Sequence, residues 1–479
     1  MTNTLYWHDY ETWGEVPSQD RPSQFAGVRT DENLNVIGDP LMIYCKPSPD
    51  SLPKPDACLI TGLTPQVALA KGLPEYQFAA RIHAELSQPG TCGVGYNSIR
   101  FDDEVTRYML YRNFYDPYER EWRNGNSRWD IIDVVRMTRA LRPEGIEWPN
   151  YEDGRPCFKL EMLTAANGLK HEAAHDALSD VYATIAMAKL IKTRQPKLFD
   201  YAYKLRGKRF VNSLINIANR KPVLHISSRF AGENGNATLM LPLAIHPGNK
   251  NAVIAFNLAS SPRDLLNLSA DELRERLFTR TEDLPKGVER VALKEIHLNK
   301  SPMVLPPSML DEQTANRLLI DRNLMEQHWQ QLFSLSVVEQ ERLQEKLYEL
   351  YSEIGFIEKI DPDQMLYNGF FDDYDKKLMA QVRRASAAEL AAKSFDFQDS
   401  RLGELLFRYR ARNFPESLSV QEQQKWRAFC HLRCTDASAG AGILITDLRY
   451  RVAELMTQGS LTELQKNILQ DLTTYADSL

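Results

Sequence analysis

The sequence predicts an α/β chain in three parts: a mixed-sheet α/β domain at 1–195, a β-rich domain with helical insertions at 196–350, and an all-α domain at 351–479. Three observations carry this. Strand-like runs come three in a row at the start and then mix with helices, which suits a mixed sheet better than a repeated βαβ unit. Beyond Pro196, strand-like segments are joined by short turn-forming stretches. Beyond Asp361 nearly every segment has the helical period.

In the first part, strands are expected at Leu5–Tyr10, Gln24–Arg29, Leu41–Cys45 and Cys92–Tyr96. Helical patterns fall at about 75–87, 102–115, 130–141, 160–168 and 177–193. In the second part, Lys221–Ser228, Ala237–Ala244 and Ala252–Leu258 read as strands, joined by AGENGN and HPGNKN, which have hairpin-loop composition. A helix at Asp264–Thr279 and a strand at Val288–Leu298 follow. SPMVLPPS at 301–308 reads as a break, with long helices from about 311 to 351. The last part holds the helical patterns DYDKKLMAQVRRA, SRLGELLFRYRARNF, SVQEQQKWRAFCHLR and LTELQKNILQDLTTYA.

At 479 residues the chain is long enough for two to four domains. With 43% hydrophobic and 25% charged residues it is neither wholly disordered nor a small disulfide scaffold. Its net charge of −6, taken as a total, argues against a polyanionic partner. The distribution is uneven, however: residues 201–250 carry eight Lys or Arg against one Glu, whereas 301–400 sum to −8. The basic block fits a binding patch or a solvated face. The first fifteen residues lack the pattern of a secretory signal, and no apolar run is long enough to span a bilayer. The six cysteines are scattered without a CxxC pair, as expected of reduced thiols in a cytoplasmic protein.

The first strand reads Leu5-Tyr-Trp-His-Asp9-Tyr-Glu11-Thr12. Side chains two apart in a strand share a face, so Asp9 and Glu11 project together. Two carboxylates in an apolar setting need a cation or a proton to coexist, and Mg²⁺ and Mn²⁺ favour such oxygen ligands. A solvated edge strand would carry the same pattern. A second acidic station, Asp102-Asp103-Glu104, follows the fourth strand and opens a helix, where the helix dipole favours acidic residues. Capping and ligation both fit Asp102. The third station is His175-Asp-Ala-Leu-Ser-Asp180. Val181, Ile185 and Ala188 share a stripe, so a helix starts near 177 with Asp176 as its N-cap. Within one helix His175 and Asp180 would lie about 140° apart, so they converge only if His175 sits on the preceding loop.

Asp9-x-Glu11, Asp102 at a strand-to-helix turn and His175-x4-Asp180 together resemble the DEDD exonuclease superfamily, histidine-bearing branch. Longer motifs narrow the resemblance: HDYET, GYNSIRFDDEVTRYMLYRNFYDPY, NSRWDIIDVVR, LRPEGIEWP, AHDALSDVYATIAMAKL, LYNGFF and FRYRARNFP. With these the chain is similar to the bacterial exonuclease I family over essentially its whole length. The resemblance implies a ribonuclease-H-like nuclease domain, an SH3-like domain and a helical C-terminal domain. It also implies a single-strand-specific 3′→5′ DNA exonuclease that releases 5′-mononucleotides processively in DNA repair and recombination. Two Mg²⁺ ions, with Mn²⁺ as a substitute, would be held by Asp9, Glu11, Asp102 and Asp180. Asp9 would bridge the ions, Glu11 and Asp180 would complete one site, and Asp102 would serve the other. Glu11 would also meet the substrate. His175 would be the general base on the attacking water, a role that suits an imidazole near neutral pH.

Between the second and third stations arginines and aromatics interleave from Arg107 to Trp129, as in single-strand binding by stacking and phosphate contact. Spacing assigns Tyr108, Leu110, Tyr111 and Phe114 to the core. The resemblance places Arg107, Tyr118, Trp122 and Arg136 on DNA. Lys159 stands where the family pattern has an arginine; it keeps the charge and loses the planar fork, so a phosphate contact and a solvated lysine both fit. Lys204–Arg209 with Arg220, Lys221 and Arg229 reads as the rim of a channel over the strand. The resemblance further implies docking of the acidic C-terminal tail of single-stranded DNA-binding protein; a monomer without membrane attachment is expected. Two rival readings are an oligoribonuclease or proofreading unit, which the chain length opposes, and a non-catalytic single-strand-binding scaffold, which the complete set of carboxylates opposes.

Overall fold

Strand β1 (Thr4–Thr12) organises the part of the molecule that carries the acidic motif. The structure, a computed structural model, describes residues 3–171, 176–352, 358–459 and 461–478. They fall into two compact units, one from 1–127, 171–185 and 357–479, the other from 128–170 and 186–356.

In the first unit, β2 (Pro22–Thr30) pairs antiparallel with β1, placing Asp9 opposite Ala26 and Glu11 opposite Gln24. β3 (Leu41–Tyr44) is antiparallel to β2, and β4 (Thr91–Gly95) is parallel to β1 with Trp7 opposite Val94. The order β3-β2-β1-β4 is the expected mixed sheet. Alternation along β1 sends Tyr6 and Tyr10 into a core with Phe25, Phe78, Ile82 and Met109. Leu5, Trp7, Asp9 and Glu11 occupy the other face. Helices α1 (Pro55–Thr61) and α2 (Pro65–Lys71) are additional to the expected set. Their signals were short ones: a proline opening each helix, and Gly62 closing α1 at φ 69°. α3 (Glu75–Leu86) and α4 (Asp102–Arg112) match the expected helices.

Several of the later helices of this unit begin on side chains that satisfy their free amides. Asp372, Asp399, Ser419 and Thr462 cap Asp373–Arg384, Ser400–Asn413, Val420–Thr435 and Glu463–Asp477. Tyr111 and Phe114 pack with Phe371, Leu402, Leu405 and Tyr409, so the anticipated core residues of α4 meet the C-terminal helices. Beside them lies a buried ion cluster. Asp50 receives Arg412 at 2.6 Å and Arg21 at 3.1 Å, and Asp363 receives Arg412 and Arg408 at 2.5 and 2.9 Å. Burial alone would raise both carboxyls, but the guanidiniums, Arg412 foremost, hold them well below the usual range.

The second unit contains a five-stranded antiparallel sheet in the order Met303–Leu305, Val223–Ile226, Ala237–Ile245, Ala252–Asn257, Leu293–His297. Both glycine- and asparagine-rich stretches connect neighbouring antiparallel strands, as expected. The expected break at 301–308 holds an edge strand instead. Pro302 and Pro306 bracket three apolar residues that pair with Val223–Ile226, and prolines are tolerated at such margins. The expected helix at Asp264–Thr279 is two helices, because Ser269 forms a capping box with Glu272 and starts Ala270–Phe278 afresh. Trp129, read with the strand-binding aromatics, is core: it is fully buried edge-on against Phe199 and Tyr203 at 5.1 Å.

Candidate active site

β1 delivers Asp9 and Glu11 to one face, and the helix Ala177–Arg194 delivers Asp180. One carboxylate oxygen from each of the three lies within 4.8 Å of the others. Glu11 is 8% exposed, and Asp9 and Asp180 are half-buried. Asp176 caps the helix through the Ser179 amide at 3.2 Å and accepts from Gln24 at 3.4 Å, so its expected capping role is met.

Asp102 arrives from the turn that converts β4 into α4. Gly95 is required there, since a Cβ would lie 2.6 Å from that of Ser98, and Asn97 adopts φ 65°, a conformation asparagine tolerates. Asp102 is buried and accepts the Tyr10 amide at 3.0 Å, which ties the first turn of α4 to β1 between Asp9 and Glu11. Asp102 thus stands in the first turn of α4, where the helix dipole favours a carboxylate, beside the three residues whose oxygens converge and not among them.

The electrostatics of the group are those of crowded like charges. Burial, followed by Asp102, Glu11 and Asp180, drives Asp9 well above the ordinary carboxyl range. Burial, then Asp180, Asp102 and Asp176, pushes Glu11 up to about 9. A divalent cation fits this donor set: the ligands are all oxygen, they converge, and a positive charge would relieve the repulsion that protonates them.

His175 lies outside the described residues. A different histidine adjoins the carboxylates: His171 Nε2 is 2.5 Å from Asp180 Oδ1. The sequence held a signal for it, since GLKHEAAHDALSD carries two histidines ahead of Asp180.

The segment after α4 belongs to the same unit. Trp122 is 64% exposed, and Tyr118 is half-buried with its ring edge-on to the exposed Phe370 at 5.5 Å. Arg107 is placed differently from a free phosphate ligand. It is 6% exposed, grips both oxygens of Glu121 at 2.7 and 2.8 Å, and reaches Glu104 at 2.7 Å and the Tyr367 hydroxyl at 3.0 Å. Arg136 and Lys159 belong to the second unit, where Arg136 is buried against Asp133 at 2.6 Å and Lys159 is exposed. In the basic block, Lys204, Lys208, Arg209, Lys221 and Arg229 are exposed. Arg220 is engaged: its guanidinium donates to the carbonyls of Leu332 and Phe333 at the end of a helix.

Comparison with known proteins gives the family. Residues 6–188 match the Exonuclease family profile, 206–353 the Exonuclease I SH3-like domain and 360–479 the Exonuclease I C-terminal domain. Exodeoxyribonuclease I of Escherichia coli (strain K12) is 50% identical over 426 residues, covering 88% of each chain. That of Haemophilus influenzae is 48% identical over 428 residues, covering 89% of each. Among solved structures, Exonuclease I from Methylocaldum szegediense has a TM-score of 0.95 at 49% identity over 99% of both chains. Escherichia coli Exonuclease I in complex with a dA16 oligonucleotide has a TM-score of 0.94 at 45% identity, again over 99% of both. The α/β nuclease, SH3-like and helical parts expected from the sequence are those of these relatives. By sequence, by domain content and by fold, the chain belongs to the exodeoxyribonuclease I family.

Proposed function

We propose that this chain removes 5′-mononucleotides processively from the 3′ end of single-stranded DNA. The observation that carries the reading is the convergence of Asp9, Glu11 and Asp180, with Asp102 alongside, at a place where their charges cannot coexist unaided. Escherichia coli Exonuclease I has been crystallised with dA16 and dT13 oligonucleotides and in a zinc-bound form, which supports both the strand and a divalent metal. Two Mg²⁺ ions, replaceable by Mn²⁺, would be held by Asp9, Glu11, Asp102 and Asp180. When bound, such ions neutralise phosphoryl charge and activate water.

The chain's own residues supply the rest. Asp9 and Glu11 present their oxygens from a strand paired with β2 along both positions and with β4 just before them, so little reorganisation is needed. His175 takes the proton of the attacking water. Tyr118 and Trp122 stack bases without regard to sequence, which a degrader of arbitrary DNA needs. Arg107, Arg136 and Lys159 contribute positive charge toward the backbone. The segments 1–195, 196–350 and 351–479 act as nuclease, SH3-like and helical domains of a cytoplasmic monomer, and basic patches receive the acidic tail of single-stranded DNA-binding protein. Service in repair and recombination follows from the substrate.

Product analysis on 3′- and 5′-labelled single strands, with Mg²⁺ and with chelator, tests the reading. Mononucleotides should appear from the 3′ end only, and only with metal. Asp9→Ala should abolish cleavage while single-strand binding persists. Normal digestion by that variant would overturn the metal assignment, and efficient attack on blunt duplex would overturn the strand specificity.

A further inference from the structure

Arg120 stands between the half-buried Tyr118 and the exposed Trp122 and turns the opposite way. It belongs to the turn Glu119–Glu121, flanked by Tyr118 and Trp122, yet its side chain is only 1% exposed. Its Nη2 donates to Asp103 Oδ1 at 2.6 Å, and the Asp103 side chain is equally enclosed. Asp103 follows Asp102 in the first turn of α4. The other end of the guanidinium lies over β4 at Gly93, where a Cβ would come within 3.3 Å of Arg120 Nη1 and 3.6 Å of His8 Cε1. His8 in turn precedes Asp9 on β1. One buried guanidinium therefore bonds the helix next to Asp102 and lies over β4, on the side of Gly93 where His8, the neighbour of Asp9, also lies. The neighbouring Glu121 clamps Arg107 of α4, so two consecutive residues tie the aromatic segment to that helix.

A buried ion pair of this kind is a poor stabiliser, because desolvating both charges offsets most of their attraction; its established use is to fix register. We propose that Arg120 is a positioning residue for cleavage. Its pair with Asp103 sets the first turn of α4, and with it the Asp102 carboxylate, relative to the segment that presents Tyr118 and Trp122. The inference rests on the reading that Asp102 holds metal and that those rings receive the strand. A misplacement of about 1 Å at a reacting centre costs roughly 100-fold in rate, so the effect belongs in kcat.

Two variants test it: Arg120→Lys, which keeps the charge and loses the fork, and the double variant Asp103→Asn with Arg120→Met, which leaves no charge unpaired. Each is assayed on an oligo-dT strand and on the p-nitrophenyl ester of thymidine 5′-phosphate, which carries one nucleotide and no strand to stack. Binding of the strand in chelator and of Mn²⁺ by electron paramagnetic resonance are measured in parallel. The expected result is a fall in kcat of about 10- to 100-fold on both substrates. Mn²⁺ binding should weaken, and strand affinity in chelator should stay within about twofold, since Tyr118 and Trp122 are untouched. A kcat unchanged in either folded variant would overturn the proposal. So would a loss confined to KM and strand affinity, which would make Arg120 a support for the aromatics alone. Should Arg120→Lys fail to fold, the double variant decides. Asp102→Asn serves as the separate control: if that variant remains active, the reading of the carboxylate site has failed rather than the brace.

Discussion

Glu11→Gln should stabilise the metal-free protein at alkaline pH and do little at acid pH. Burial, with Asp180, Asp102 and Asp176, pushes Glu11 from 4.5 up to about 9 in the fold. A raised carboxyl value means that the folded state keeps a proton which the unfolded state releases. The stability tied to this group is thus fully present below the ordinary value and is lost as pH rises toward the folded one. Near pH 8, about 3.5 units above the ordinary value, the cost at roughly 1.4 kcal/mol per unit is about 4–5 kcal/mol. At about pH 4.5 the same arithmetic leaves under about 0.5 kcal/mol. Glutamine keeps the shape and removes the titration, so it should recover that difference. Thermal unfolding in chelator is the assay, and at about 2 °C per kcal/mol the variant should gain about 8–10 °C at the higher pH. Mg²⁺ should raise the melting temperature of the unaltered protein more than that of the variant. Equal melting of the two proteins at alkaline pH in chelator, or an equal gain at both pH values, would refute the account of crowded carboxylates.

Arg412→Ala should cost about 3–5 kcal/mol in urea unfolding, because it removes from the buried Asp50 and Asp363 the guanidinium they share, leaving Arg21 and Arg408 among the remaining partners; an unchanged midpoint would show the cluster to be inert. The same two carboxyls are held below their ordinary value, so their contribution is present above about pH 4 and should fade as pH falls below it; acid titration of the fold by circular dichroism reads this. Trp122→Ala should weaken single-strand binding in chelator by about 1–3 kcal/mol, measured by anisotropy, and an unaltered Kd would take the residue off the DNA. Arg107→Gln should lower the melting temperature, since Glu121 loses the guanidinium that grips both its oxygens, and should reduce the salt slope of single-strand binding by about one; an unchanged slope would take Arg107 off the phosphate contacts.

What the sequence revealed of this molecule follows from the range of the signals. The period of two along β1 is local, so the shared face of Asp9 and Glu11 was legible, as were the helix from 177 and its Asp176 cap. Tyr111 and Phe114 were assignable to the core by spacing, although their partners Phe371 and Tyr409 were not. The strand Met303–Leu305 was hidden because two prolines outweighed three apolar residues, and only pairing with Val223–Ile226 makes it a strand. The pairs of Arg21, Asp50, Asp363 and Arg412 join residues 29, 49 and 362 positions apart, separations for which no periodicity exists. The ion pairs of Arg107 and Arg120 were hidden for a related reason. An arginine among aromatics suits a nucleic-acid surface, and nothing local discloses that Glu121 or Asp103 has already claimed its fork.

The first unit treats buried carboxylates in two opposite ways, and the contrast separates structure from chemistry. Asp50 and Asp363 are surrounded by guanidiniums, and their protons are held off the carboxyls even though both groups are buried. Glu11 is also buried and Asp9 half-buried, but the largest electrostatic influences on them are other carboxylates, and their values rise. Had β1 been selected for stability alone, an arginine at the Gln24 or Ala26 register would have relieved it, as Arg21 relieves Asp50 nearby. The uncompensated charge instead makes the site unfavourable without a cation and receptive to one, so the instability and the metal affinity are one property. The net charge of −6 has the same origin on a larger scale: positive charge is spent inside the ion cluster and along 201–250, and is withheld where a divalent ion is needed.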